Sequence, residues 1–178
     1  QKHKGIKYFT PRNYKVWKEP VTGWSSWYAY FRKFNEQNVD DLMRVWKEKQ
    51  MADFGYKYIQ IDDAYQGEED KGHNAPLKGP NDYYATGPKT WLSWKKDLFP
   101  GGLKGYVKTV NNAGFTPGVW MGCFFTATDT VQKHPNWFVQ DSLGQASIGG
   151  WVTYAIDATN KEAASTLIRP TFRGWKTA

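Results

Sequence analysis

Two adjacent carboxylates, Asp62 and Asp63, close the short apolar run Tyr58-Ile59-Gln60-Ile61, and they are the most chemically loaded pair in the chain. An acid pair at a strand end can accept hydrogen bonds from hydroxyl groups or, more plainly, cap a helix or fix a loop. Both readings stay open from the residues alone. Around the acids the chain is rich in flat rings: ten Trp, eleven Tyr and ten Phe, beside 17 Gly. A pyranose presents C–H groups on one face and hydroxyls at its rim, so indoles combined with carboxylates suit a sugar. Core filling is the alternative for any single ring. Trp24 and Trp120 weigh against it, because each sits at an expected strand end and not on a helix face. Tyr65, just beyond the acids, is a lesser candidate, while Trp27, Trp137 and Trp151 are assigned to packing.

Other chemistry finds little support. Cys123 is the single cysteine, so it forms no internal disulfide and anchors no Cys-rich zinc site, and nothing near it marks a nucleophile. His134 stands beside Pro135 and reads as a structural histidine; His3 and His73 have no third ligand in range. No metal or cofactor is expected.

The elements that would position these residues follow from periodicity. A short segment at Val21–Trp24 leads into Gly23-Trp24-Ser25-Ser26-Trp27. Val39, Leu42, Met43 and Trp46 recur at helical spacing, which predicts a helix over 35–53 with Asn35 as its cap and Gly55 past its end. The strand before Asp62 follows, then an excursion, 64–100, whose Gly, Pro, Asn and Asp make it read as too polar for core. Leu103, Tyr106, Val107 and Val110 predict a helix over 102–113 that Gly114 ends, and 116–122 reads as a strand. A further extended segment, 151–156, ends at Asp157, and a last helix over 160–175 carries Pro170 as a kink. Strand-helix alternation with polar loops after the strands and tight turns before them predicts an α/β fold, either a (β/α) barrel or a doubly wound open sheet.

Length and charge bound the answer. A complete eight-unit barrel needs about 250 residues, whereas 178 residues hold three βα units and one inserted extended segment. The expected organisation is an irregular lead-in at 1–20 and an incomplete barrel over 21–178, needing the remainder of that barrel to close its sheet. The balance of 24 basic and 17 acidic residues gives +7, but the lysines are scattered and Lys95-Lys96 runs directly into Asp97, so no nucleic-acid partner is expected. No apolar run approaches the roughly 20 residues of a membrane span, and the start, QKHKGIKYF, has no signal-peptide core. Compartment is undetermined.

Six strings occur in one order: Gly23-Trp24-Ser25-Ser26-Trp27, Tyr58-Ile59-Gln60-Ile61-Asp62-Asp63-Ala64-Tyr65, Phe99-Pro100-Gly101-Gly102-Leu103, Gly114-Phe115-Thr116-Pro117-Gly118-Val119-Trp120, His134-Pro135-Asn136-Trp137 and Tyr154-Ala155-Ile156-Asp157. In that order the chain resembles the amino-terminal half of the catalytic barrel of glycoside hydrolase family 36, the α-galactosidase or melibiase family, with a weaker likeness to family 27. The resemblance covers 21–178 and implies a partial (β/α)8 TIM barrel from a retaining enzyme that hydrolyses terminal α-linked galactose from oligosaccharides. In such enzymes two carboxyl groups about 5 Å apart act as nucleophile and acid/base. It also implies that Asp62 and Asp63 accept hydrogen bonds from the galactose 4- and 6-hydroxyls, and that Trp24 and Trp120 wall the pocket. Asp157 would shape the loop before the last helix. Cys123, where the family often has Ala or Pro, would border the pocket as a small apolar residue. The family's Lys-x-Asp nucleophile motif lies on the strand after the helix at 160–175, so no catalytic residue is assigned here and the isolated chain is expected to be inert. The alternatives are a carbohydrate-binding module without hydrolysis, or an α-N-acetylgalactosaminidase or galactosyl transferase of the same family.

Overall fold

The computed structural model describes residues 20–66, 91–126, 128–147 and 154–177. The lead-in at 1–19, the middle of the excursion, His3, His73 and Trp151 lie outside the described residues.

Three parallel strands form the centre: β1 (Gly23–Ser25), β2 (Tyr58–Ile61) and β3 (Thr116–Val119), in that spatial order. Between β1 and β2 come a single helical turn α1 (Trp27–Tyr30), a 3-10 turn (Phe31–Lys33), helix α2 (Glu36–Glu48) and a second 3-10 turn (Met51–Phe54). Asn35 caps α2 as expected: its side chain accepts the Asn38 N–H at 3.0 Å, and the Asn38 side chain accepts the Asn35 N–H at 3.1 Å. The helix ends earlier than the predicted 53, because Gln50 takes a left-handed conformation (φ 54°) and the chain tightens into the 3-10 turn, with Gly55 at φ 85° beyond it. Val39, Met43 and Trp46 are buried from its apolar face, each contributing about 1.5–3 kcal/mol.

Helix α3 (Gly102–Asn112) precedes β3 and buries Tyr106 and Val110 against the same sheet face; Gly114 (φ 87°) turns the chain into the strand. Pro117 is tolerated because its neighbour Thr116 supplies the N–H that bonds to the Lys57 carbonyl just ahead of β2, so the pairing of β3 with β2 does not call on the missing proline donor.

One expectation needs correction, and two gain detail. Both described ends of the excursion are core: Tyr65 is 1% exposed, and Trp91, Trp94 and Phe99 are buried with it. The polar average of the whole stretch hid the apolar spacing within 91–99. The extended segment before Asp157 is β5 (Tyr154–Ala155), which pairs antiparallel with β4 (Phe125–Thr126), apart from the central sheet. Together with helix α4 (Thr128–Lys133) and a 3-10 turn (Pro135–Trp137), these strands overlie a second cluster that contains Trp137, Phe138, Ile156 and Leu167. The last helix winds from α5 (Lys161–Ala163) through a π turn (Ala164–Ile168) into α6 (Arg169–Thr177). The wider turn lies immediately ahead of Pro170, which has no N–H for the helical ladder.

One side chain ties helix to sheet. The Tyr106 hydroxyl donates to the Ile59 carbonyl, lies 2.9 Å from the Gly118 carbonyl and accepts the Gly118 N–H at 3.3 Å, so α3, β2 and β3 meet at one oxygen. Burial pushes its pKa far above the ordinary phenol range. Tyr106→Phe keeps the ring and strands the carbonyls, so it should destabilise the fold by about 1–3 kcal/mol in urea unfolding. The raised pKa also sets a sign. The Tyr106 contribution is complete below the unfolded phenol pKa of about 10 and shrinks as pH climbs above it, because only the unfolded chain then releases that proton. The Phe variant should lack this alkaline slope.

Candidate functional site

Parallel pairing brings the three carboxyl ends level. Ser25 pairs with Gln60, and Gln60 with Gly118, so these residues share one sheet face, while Trp24 pairs with Ile59 on the other. Ile61 pairs with Val119, and one step further along stand Asp62 and Trp120. Two backbone bonds extend the ladder past the strands: Ser26 N–H to the Gln60 carbonyl at 3.2 Å, and Trp120 N–H to the Ile61 carbonyl at 2.8 Å.

Asp62 is fixed from all sides at this edge. Its N–H donates to Oγ of fully buried Ser26 at 2.9 Å. Its Oδ2 accepts from Ser25 Oγ at 3.0 Å and from Gln60 Nε2 at 3.2 Å. Its Oδ1 accepts the Asp63 N–H at 2.8 Å. Asp63 is 8% exposed and holds the turn itself: its Oδ1 accepts the Ala64 N–H at 2.7 Å and Gln66 Nε2 at 3.0 Å. The two acids therefore have different surroundings, one at the edge and one inside.

Trp120 is half-buried at the end of β3, with its ring edge-on to buried Trp91 at 5.8 Å. Trp24 is also half-buried, but strand alternation turns it to the helix side, where it meets Phe34 at 5.3 Å and Tyr30 at 6.1 Å. Tyr65 is a core residue: its hydroxyl donates to the Trp91 carbonyl at 3.3 Å and its ring packs on Trp94 at 4.8 Å. The structure thus brings Asp62 and Trp120 to one edge, places Asp63 and Tyr65 beneath it, and turns Trp24 away.

Ser25, Ser26 and Gln60 escaped notice in the sequence. The signal was present in the alternation: Gln60 lies two residues before Asp62, so a strand must put both on one face.

The remaining candidates are structural. His134 stacks on Trp137 at 3.9 Å, and Trp137 Nε1 donates to Glu162 at 3.2 Å. Asp157 accepts the Thr159 hydroxyl at 2.6 Å and the Thr159 N–H at 2.9 Å; the hydroxyl first and the N–H second hold its carboxyl below the usual range. Among the described residues no group of three or more His, Cys, Asp or Glu could hold a metal ion, and no helix is long and apolar enough to cross a membrane.

No family model matches the chain. Over 114 residues it is 28% identical to a probable α-galactosidase of Dictyostelium discoideum, spanning 64% of this chain and 24% of that protein. Its fold is similar to that of the glycoside hydrolase family 36 α-galactosidase AgaB from Geobacillus stearothermophilus, with a TM-score of 0.63 and 20% identity, over 90% of this chain and 20% of that one. It is also similar to an AgaA variant of the same organism solved in complex with raffinose, with a TM-score of 0.57 and 21% identity, over 83% of this chain and 18% of that one. The chain therefore resembles α-galactosidases in sequence and family 36 enzymes in fold, and it spans about a fifth to a quarter of their length.

Cys123, 3% exposed, packs in the main core, and burial raises its thiol pKa. A protonated, enclosed thiol is a poor nucleophile. Labelling with a disulfide reagent at pH 8 should run more than about tenfold slower in the folded than in the urea-unfolded protein; equal rates would place Cys123 at an open site instead.

Proposed function

We propose that this chain is part of a retaining glycoside hydrolase of the α-galactosidase type, acting on terminal α-linked galactose in oligosaccharides. The observation that carries the reading is the hydrogen-bonded cluster Ser25–Gln60–Asp62, level with the half-buried Trp120 indole at the carboxyl edge of a parallel sheet. The likeness to α-galactosidases supports it, as does the raffinose bound to the similar AgaA variant.

In this reading β1, β2 and β3 are the first strands of a (β/α)8 barrel, and the remaining strands continue from the outer edges of β1 and β3, each paired on one side only among the described residues. Asp62 accepts a galactose hydroxyl and Trp120 lies against the apolar sugar face. Asp63 fixes the turn that presents Asp62, with Tyr65 backing it from the core and Trp24 from the helix layer. The two reacting carboxylates, about 5 Å apart across the glycosidic bond, come from later strands.

The test uses the full-length protein that carries this chain and follows hydrolysis of p-nitrophenyl α-galactoside. Asp62→Asn keeps the shape and removes the charge-assisted acceptor, so kcat/KM should fall about 10- to 100-fold. Wild-type kinetics in that variant would remove Asp62 from the sugar site. Saturable galactose binding by the chain alone, without turnover in the full-length protein, would point to a binding module in place of a hydrolase.

A further inference from the structure

We propose that Ser25 and Gln60 are positioning residues that hold the Asp62 carboxylate ready for a single sugar hydroxyl. The inference rests on the α-galactosidase reading and deepens it.

A glutamine in the middle of β2 calls for an explanation. Its neighbours Ile59 and Ile61 are 0% and 1% exposed, and a half-buried amide in such a strand is unfavourable unless it is hydrogen-bonded. Gln60 finds its partners at the functional edge. Nε2 reaches Asp62 Oδ2 at 3.2 Å and Ser25 Oγ at 3.3 Å, while Ser25 Oγ reaches the same Oδ2 at 3.0 Å, so three side chains from two strands close a ring of hydrogen bonds. The Asp63 N–H occupies Oδ1. A carboxylate offers about four acceptor sites. Two side-chain donors and one backbone donor fill three of these, which leaves room for one more.

That geometry does three things. It removes the rotational freedom of Asp62 before the ligand arrives, so the ordering cost is met in folding and not in binding. It aims at the ligand a carboxyl group whose two oxygens are acceptors already turned by their partners. It also selects a ligand group that donates, as a hydroxyl does. The other carboxylate nearby, Asp63, turns to Ala64 and Gln66 and leaves the ring to Asp62 alone.

The experiment uses the full-length protein and separates KM from kcat with p-nitrophenyl α-galactoside and raffinose. Gln60→Leu keeps the volume and removes the donor; it should raise KM about tenfold and leave kcat within about threefold. Gln60→Glu gives the sharper readout. At about pH 4, below the free glutamic acid value of about 4.3, the introduced carboxyl retains a proton and still donates, so KM relative to wild type stays near unity; at about pH 8 it ionises, repels Asp62 and raises KM. A residue that merely fills space would show no such pH-dependent recovery. Unchanged KM in Gln60→Leu, or the same KM defect at both pH values in Gln60→Glu, would overturn the proposal. Should the Gln60 variants fail to fold, Ser25→Ala carries the same test, because Ser25 is exposed and its loss leaves the core intact; an unchanged KM there also overturns it. Absence of α-galactoside turnover in the wild-type protein would instead defeat the hydrolase reading, and this inference with it.

Discussion

The register of β1 on β2 and of β2 on β3 is the constraint on which the rest of the molecule depends. Side chains alternate along a strand, so a slip of one residue would carry Gln60 and Asp62 into the helix layer and push Ile59 and Ile61 out to the polar face. The backbone fixes the register at both ends. Lys57 and Tyr58 donate to the Thr22 carbonyl at 3.0 and 3.1 Å, Thr116 donates to the Lys57 carbonyl at 2.8 Å, and Trp120 closes the far end on Ile61. Gly23 permits the closest approach: a Cβ there would lie 2.0 Å from the Tyr58 carbonyl oxygen, so no other residue lets β1 sit against β2.

Helices enforce the same choice from behind. The apolar faces of α2 and α3 enclose Ile59 and Ile61, and a carboxylate links the two helices, with Glu36 in the first turn of α2 accepting the Gly101 N–H at 2.8 Å just ahead of α3. Non-directional burial alone would tolerate small rotations of either helix. The Tyr106 hydroxyl does not, because it must meet carbonyls on two strands at once. Packing therefore decides which face of the sheet is dry, and a few directional bonds decide how each strand lies on it.

Features that repeat over several turns were legible in the sequence. The stripes of α2 and α3, the Asn35 cap, and the glycines at 55 and 114 each act through local geometry, so pattern alone located them. The acid pair and the strand before it were equally plain. What pattern could not give was pairing. Whether Trp24 faces the site or the helices turns on one step of strand parity, and the three-residue strand β1 is too short to show its own alternation. The antiparallel union of β4 with β5 is a two-residue contact between segments far apart in sequence, with no periodicity to announce it. Trp91 and Trp94 were masked differently, by an average taken over a long polar stretch whose ends fold back beneath Tyr65.

Asp62 and Asp63 show why an adjacent acid pair should not be read as a catalytic dyad. Retaining glycosidases set two carboxyl groups on opposite sides of a scissile bond, with a sugar between them. Neighbours at the end of one strand cannot bracket a ring in that way, since alternation sends successive side chains to opposite faces. Here the division is visible in the donors each acid meets. Asp62 gathers side chains from β1 and β2 at the edge, whereas Asp63 turns inward and holds Ala64 in a left-handed conformation at φ 78°. Such a conformation costs a non-glycine residue on the order of 1–3 kcal/mol, and it persists only where the surroundings impose it. The Asp63 hydrogen bonds to the Ala64 N–H and to Gln66 are what impose it, because they close the turn that carries the chain from the edge of β2 down into the core. One acid thus shapes the backbone while the other gathers side chains at the edge, and that division of labour needs both carboxylates without asking either to react.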